Sequence, residues 1–378
     1  MKTIAAVLHE RGLPRPYATS KPLVIEELEL DGPQEGEVLI EMTAAGLCHS
    51  DLSVLNGTRL WPLPIVIGHE ACGFVRECGK GVKDLSEGEH VVFSFLPTCG
   101  HCPMCASGRA SLCEPGVVAN RAGKLITGSV RFWKGGASRV HHHSGVAGYS
   151  QYSVIARESI VKVPQDIPPE TAVLFGCAIM TGVGAVVNTA KVAAGTSVAV
   201  FGMGGVGLSV VMGARAAGAN PIIAVDVLDS KLELARQCGA THVVNASRVD
   251  PVVVVRELSN GGVEHAFEAV GDAKVIEQAF ASARRGARAV SIGLTHPDSR
   301  ISLPALAFAA DEKSLMGSYM GSCVPQRDIP RFMAMYRAGM LPVELLRSRT
   351  ISLEQVNEGF DLLAQGEVAR QVIRFARG

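Results

Sequence analysis

The sequence predicts an α/β protein in which a β-rich domain is interrupted by a doubly wound parallel sheet. Three observations carry that expectation. Short runs of alternating apolar and polar residues, cut by Gly, Pro and Asp, fill roughly the first 175 positions. From residue 196 to 293, apolar strand-like runs alternate with helix-like segments. A G-x-G-x-x-G turn, Gly202-Met203-Gly204-Gly205-Val206-Gly207, joins the first of those strands to the helix that follows it.

Taken in order, residues 1–12 (MKTIAAVLHERG) carry charge and no long apolar run before a small-residue cleavage site. They read as a first strand and not as a secretory leader. The runs at 38–42, 72–78 and 90–95 read as further strands. Residues 114–150 hold glycines, few periodic apolar positions and the run His141-His142-His143. This segment is expected to be a long loop over the surface, with the three histidines as surface residues. The texture changes near residue 178. The run 196–202 (TSVAVFG) is continuously apolar, as in a strand buried on both faces. A helix over 206–218, a strand at 221–226, a helix at 230–238, a strand at 242–245 and a helix near 250–260 follow. Then come a strand at 265–271, a helix at 273–285 and a strand at 287–293. The C-terminal part returns to mixed structure, with 372–375 (VIRF) as a closing strand. The expected domains are 1–178, with a metal lobe at 97–115, then the inserted unit at 179–320, and 321–378 as the rest of the first domain.

Composition bounds the function. The chain has 378 residues, 47% hydrophobic and 19% charged, as in a globular protein. Lys plus Arg equals Asp plus Glu at 36 each, so no basic excess points to nucleic acid. No stretch of about 20 apolar residues free of charge and breakers is present, so no membrane span is expected. Ten cysteines without a leader suggest a reducing, cytoplasmic setting, where clustered cysteines mean metal more than disulfide.

The chemistry-bearing residues form three groups. Cys99, Cys102, Cys105 and Cys113 follow a C-x2-C-x2-C-x7-C pattern. Four thiolates this close can close a tetrahedron around one zinc, leaving no open position. An iron–sulfur cluster also accepts four thiolates, but the adjoining nucleotide unit favours zinc. A second, incomplete set comprises Cys48, His69 with Glu70, and Cys177. Three ligands and a free position is the pattern of a catalytic zinc, although a lone buried Cys or His is more often a packing residue than a ligand. Cys72, Cys78, Cys238 and Cys323 read as packing thiols. In the glycine loop, Gly202 permits the turn, Gly204 lets backbone approach a pyrophosphate, and Gly207 lets helix and strand pack closely. Asp226 ends the next strand, 19 residues after Gly207. A carboxylate there bonds the ribose hydroxyls and repels a 2′-phosphate, which favours NAD over NADP; Lys231 is placed to flank the same ribose.

These motifs together resemble the zinc-dependent medium-chain alcohol dehydrogenase family. The carrying residues are C-H-S-D at 48–51, G-H-E at 68–70, the four-cysteine run, F-G-C-A-I-M-T-G at 175–182, the glycine loop with Asp226, and E-G-F-D-L-L near the C-terminus. The resemblance implies a GroES-like catalytic domain with an inserted Rossmann domain, two zinc ions per chain and NAD. It places Cys48, His69 and Cys177 on the catalytic zinc, with Glu70 close enough to exchange onto it and Asp51 orienting His69. It further implies that an alcohol oxygen takes the open zinc position, that Ser50 accepts its proton and that the alkoxide passes hydride to the nicotinamide. Thr181, Val206 and Leu294 match positions around the nicotinamide, and His49 and Arg370 match cofactor-phosphate contacts.

Two departures bear on mechanism and substrate. Where liver-type members end the proton relay with a histidine three residues after the hydroxyl residue, this chain has Ser53. Serine is no base at neutral pH, so the relay must end at water or at His49. The loop at 57–62 holds no acid, unlike the glutathione-dependent formaldehyde dehydrogenases, so S-(hydroxymethyl)glutathione is the alternative substrate and not the leading one. Leu60, Trp61, Phe95, Val118 and Leu294 are expected to wall an apolar pocket for apolar alcohols and aldehydes or ketones, aromatic ones among them. A zinc-free quinone or enone reductase and a non-catalytic nucleotide-binding protein are the remoter readings. The linker of roughly 35 residues after Cys113 resembles that of dimeric members, which implies a homodimer.

Overall fold

Strand Glu37–Leu47 is the spine of the first unit, and every one of its 11 residues is buried. It is rich in apolar and small residues and pairs antiparallel with Ala71–Cys78, Tyr152–Ala156 and Arg370–Arg374. The sheet built on it runs in the order Ile160–Lys162, His90–Phe93, Ala71–Cys78, Glu37–Leu47, Arg370–Arg374 and Arg347–Ile351, with Tyr152–Ala156 also on Glu37–Leu47. A closed barrel abuts it, ordered Lys2–Leu8, Leu23–Leu30, Phe132–Lys134, Ser138–His142 and Ile65–Val66. Closure removes the exposed strand edges that would otherwise template association. One core, with Leu47, Phe93, Tyr149 and Phe360, fills the space around the large sheet, and a second, with Val7, Phe132 and Val140, fills the barrel. The computed structural model describes residues 1–366 and 368–376.

The second unit is a six-stranded, wholly parallel sheet. Its order is His242–Asn245, Ile222–Asp226, Val198–Phe201, Val263–Glu268, Ala283–Ser291 and Ser314–Gly317. Numbered along the chain this is 3-2-1-4-5-6, the doubly wound dinucleotide-binding arrangement. Val198–Phe201 is central and fully buried, which explains its unbroken apolar run. Helices start where side chains satisfy their free N–H groups: Asp250 accepts from Val252 and Val253, and Asp272 accepts from Lys274 and Val275.

By compactness the first unit comprises Met1–Cys177, Val324–Pro330 and Arg347–Gly378, and the second Ala178–Cys323 and Arg331–Leu346. The segment Arg331–Leu346 therefore clusters with the nucleotide-type unit, whereas the sequence reading put it in the first domain. A larger correction concerns residues 114–150. The expected surface loop contains the helix Glu114–Arg121 and two strands of the closed barrel. Its polarity is misleading because Glu37, fully buried, takes hydrogen bonds from Thr127, Ser129 and Arg131. The histidine run is not a surface feature either: His142 and His143 are buried, at 0% and 3% exposure. Among the described residues no single helix is long and apolar enough to cross a membrane.

Candidate active site and metal centres

The first turn of the helix His49–Leu55 organises the site. Cys48 caps it in extended conformation, and its backbone N–H donates to Asp51 Oδ2 at 3.3 Å. Asp51 lies in the first turn, where the helix dipole favours an anion. Two glycines make room. A Cβ on Gly46 would stand 2.6 Å from the Glu70 carboxylate, and one on Gly68 would stand 2.4 Å from the Tyr149 ring. Gly68 also has φ +94, a conformation other residues rarely adopt.

Cys48, His69, Glu70 and Cys177 converge, all buried, with one ligand atom from each within 4.8 Å of the others. His69 Nε2 stands 3.4 Å from Cys177 Sγ. An imidazole nitrogen and a thiolate held tetrahedrally by zinc stand about 3.5 Å apart. His69 Nδ1 faces Asp51 Oδ1 at 2.9 Å, leaving Nε2 free to ligate. Both Glu70 oxygens are buried without a hydrogen bond; the nearest charge is Arg370, whose Nε is 3.5 Å away. A fully buried carboxylate without hydrogen bonds is costly unless a cation compensates it. The donor chemistry, spacing and orphaned carboxylate fit a zinc ion.

The buried groups of the cluster perturb one another's ionisation, and Cys48 pushes the Cys177 thiol well above the usual range. The Cys48 thiol is held well below the usual thiol range by its contact with Cys177, and Arg370 helps, its Nη2 donating to Cys48 Sγ at 3.4 Å. Burial works against protonation of His69, but Asp51 outweighs it and raises the imidazole. Burial pushes Glu70 up to about 7. Burial also opposes ionisation of Asp51, yet His69 and His143 hold its carboxyl below the usual range.

Cys99, Cys102, Cys105 and Cys113 form a second cluster, again within 4.8 Å. The Cys99 and Cys105 sulfurs are 4.0 Å apart. That is far beyond a disulfide at about 2.05 Å and close to the roughly 3.8 Å between thiolates sharing a tetrahedral zinc. Backbone N–H groups of Cys99 and Cys102 point at Cys113 and Cys99 sulfurs, each at 3.3 Å, as thiolate acceptors require. The four thiols fit a closed zinc site.

The glycine loop has the geometry its motif requires. Gly202 has φ +92; a Cβ on Gly207 would stand 1.7 Å from the Gly202 carbonyl oxygen; a Cβ on Gly204 would meet nothing within 4 Å. The open face at Gly204 precedes the helix Gly205–Ala216, so the free N–H groups there fit a pyrophosphate. Asp226 accepts backbone N–H groups from Met203 at 2.6 Å, Val227 at 2.8 Å and Leu228 at 3.1 Å. It thereby ties the loop to the adjacent strand. Lys231 and Val206 are half-buried, Gly205 and Thr181 buried, and Leu294 is exposed.

The remaining expected residues fall in different places. Ser50 is half-buried and His49 exposed. Ser53 Oγ donates to the His49 carbonyl at 2.8 Å, so it is occupied within its own helix. Arg370, expected at a cofactor phosphate, is 3% exposed and packed between Cys48 and Glu70. Phe95 meets the His69 ring edge-on at 5.5 Å, and Trp61 meets the His143 ring at 4.6 Å. Leu60 and Val118 are exposed, at 76% and 67%. Cys72, Cys238 and Cys323 are buried thiols as expected, and burial pushes Cys72 and Cys238 up to about 12. Sequence reasoning missed His143 and Tyr149, whose hydroxyl has both Asp51 Oδ2, at 3.1 Å, and the Gly46 carbonyl, at 3.0 Å, in reach of its one proton. The sequence holds no signal for these long-range contacts, beyond the unusual density of histidines.

Comparison with known proteins agrees with this geometry. Residues 34–165 match the alcohol dehydrogenase GroES-like domain, and residues 205–338 match the zinc-binding dehydrogenase domain. The chain is 41% identical to the NDMA-dependent alcohol dehydrogenase of Amycolatopsis methanolica, over 99% of both chains. It is 38% identical to an S-(hydroxymethyl)glutathione dehydrogenase of Synechocystis, over 99% of this chain and 100% of the other. The solved benzyl alcohol dehydrogenase of Acinetobacter calcoaceticus superposes with a TM-score of 0.92 at 30% identity, over 100% of both chains.

Proposed function

Because this chain belongs to the zinc-dependent medium-chain alcohol dehydrogenase family, we propose that it is an NAD-dependent alcohol dehydrogenase. It interconverts apolar, including aromatic, alcohols with their aldehydes or ketones. The buried Cys48–His69–Glu70–Cys177 donor set carries the reading. Cys48, His69 and Cys177 would hold the catalytic zinc, and the four clustered cysteines a second, structural zinc. When bound, zinc supplies Lewis acidity and the nicotinamide supplies the hydride acceptor.

The chain's own residues do the rest. Asp51 fixes the His69 ring so that Nε2 faces the metal. Ser50 Oγ relays the alcohol proton, taking it while releasing its own to water or to the exposed His49 beside it, because Ser53 is engaged with the His49 carbonyl. Arg370 compensates Glu70 and the Cys48 thiolate. Trp61 and Phe95 set aromatic edges around the His69–His143 face, which suits a flat apolar substrate. The superposable benzyl alcohol dehydrogenase supports that choice. The open loop at Gly204 takes the pyrophosphate, on the turn Gly202 permits and the close packing Gly207 permits, and Asp226 favours NAD over NADP. The protein works as a cytoplasmic homodimer; its ten free cysteines suit a reducing compartment.

A substrate panel in both directions, with NAD, NADP and NDMA as acceptors, tests the reading. Turnover of benzyl, allylic or straight-chain alcohols with NAD is expected. Turnover with NDMA alone would overturn the NAD assignment and leave alcohol oxidation standing. Turnover confined to S-(hydroxymethyl)glutathione would replace the substrate class. No turnover of any alcohol would overturn the whole reading.

A further inference from the structure

Asp51 is the meeting point of more groups than a ligand-orienting carboxylate needs. Oδ1 faces His69 Nδ1 at 2.9 Å and His143 Nδ1 at 3.1 Å. Oδ2 accepts the Cys48 N–H at 3.3 Å and the Tyr149 hydroxyl at 3.1 Å. Asp51 is wholly buried and His143 is 3% exposed. Cys48 and Tyr149 fix one oxygen; the other is divided between two imidazoles.

The backbone directly after His143 holds an unfavourable conformation. Ser144, Gly145 and Ala147 all adopt positive φ, at 55°, 64° and 51°. Two of these are non-glycine residues, which rarely take that conformation unless surrounding structure imposes it. The ring lies edge-on to Trp61, with centroids 4.6 Å apart, and to His69 at 5.6 Å. It is thereby wedged between the aromatic wall and the expected zinc ligand.

We infer that His143 is a positioning residue for the zinc ligand His69, acting through the shared Asp51 oxygen. The inference rests on the zinc reading of the Cys48–His69–Cys177 site. An ionised carboxylate accepts only, so both imidazoles present N–H at Nδ1. His143 is then neutral with its proton on Nδ1, in keeping with burial, which holds this imidazole below its usual range. The His143 contact departs from the straight hydrogen-bond line that His69 achieves, since Nδ1 makes no full hydrogen bond despite its distance. It is the weaker of the two. His143 restrains where Oδ1 sits, Oδ1 sets the plane of the His69 ring, and that plane aims Nε2. Removing the restraint leaves the carboxylate free to turn, and His69 with it.

The test is zinc affinity at the catalytic site, measured by chelator competition on the full-length protein, with total zinc per chain recorded. Partners of metal-bound histidines change metal affinity by roughly 10–100-fold. His143 acts one contact further out, so His143→Phe is expected to weaken the site about tenfold while the four-cysteine zinc stays bound. His143→Asn, which restores an N–H donor near the Nδ1 position, is expected to recover most of the loss. In an Asp51→Ala background, His143→Phe should cost nothing more. Cobalt substituted for zinc should show an altered visible spectrum in the Phe variant and a near-native one in the Asn variant. If His143→Phe does not fold, His143→Leu against His143→Asn makes the same comparison. Native affinity in the apolar variant would overturn the inference, as would an Asn variant no better than Phe. An equal loss without Asp51 would also overturn it. Wild-type protein holding only the four-cysteine zinc would overturn instead the functional reading on which it rests.

Discussion

Substituting alanine at two glycines of one loop separates folding from nucleotide binding. At Gly207 an added Cβ would stand 1.7 Å from the Gly202 carbonyl oxygen and 2.9 Å from its carbon. Real side chains keep about 3 Å or more from such atoms, so helix and strand must separate by roughly 1.3 Å in a close-packed interior. The cost is about 3 kcal/mol, the upper end for overpacking. At about 2–4 °C per kcal/mol for a unit of this size, Gly207→Ala lowers the melting temperature by roughly 6–12 °C. At Gly204 the added Cβ meets nothing within 4 Å, and the backbone, φ −76 and ψ −176, is extended and open to any residue. Gly204→Ala therefore melts within about 2–4 °C of wild type, since exchanging glycine at a helix N-cap changes stability by less than about 1 kcal/mol. The methyl instead occupies the space a pyrophosphate needs, and NADH binding weakens at least tenfold, about 1.4 kcal/mol. Thermal melts and NADH fluorescence titrations of both variants are the assay. Native NADH affinity in Gly204→Ala, or native melting in Gly207→Ala, refutes the assignment of these glycines.

Three further predictions concern the first unit. Arg370→Met leaves Glu70 buried without its nearest cation and should cost about 3 kcal/mol in urea unfolding; adding Glu70→Gln should recover most of it, and no recovery refutes the pairing. Cys102→Ser should remove one zinc per chain and lower the melting temperature while the Cys48–His69–Cys177 zinc stays; loss of both metals would contradict two independent sites. Burial holds the His142 imidazole down from 6.5 to about 3. The unfolded chain takes up this proton near pH 6.5 and the folded chain only near pH 3, so stability present above 6.5 is lost as pH falls through that window. The loss approaches 4–5 kcal/mol at about 1.4 kcal/mol per pH unit. His142→Gln keeps an acceptor for the Arg131 N–H, which His142 Nε2 takes at 3.1 Å, and should flatten the acid limb. Parallel stability–pH curves would refute it.

The parts legible in the sequence were those set by local pattern. Val198–Phe201 is buried on both faces, so its apolar run is unbroken, and the glycine spacing after it reports the turn directly. The four-cysteine cluster is local too, spanning Cys99 to Cys113. The scattered ligands were legible only through resemblance, because the chain separates Cys48 from Cys177 by more than a hundred residues that carry no mark of their meeting. Residues 114–150 misled because their polar groups are satisfied internally. Thr127, Ser129 and Arg131 look like a solvated loop until Glu37 is seen to gather them. His142 and His143 misled for a related reason. A strand directs successive side chains to opposite faces, and His143, just past the strand Ser138–His142 and just before a turn with positive φ at Ser144 and Gly145, meets Asp51. No composition or period announces such a turn.

The most direct test of the central claim is benzyl alcohol oxidation with NAD, measured against zinc content. Two zinc ions per chain are expected, with activity that falls to background in Cys177→Ala, which keeps the four-cysteine zinc alone. Undiminished activity in that single-zinc protein would contradict it.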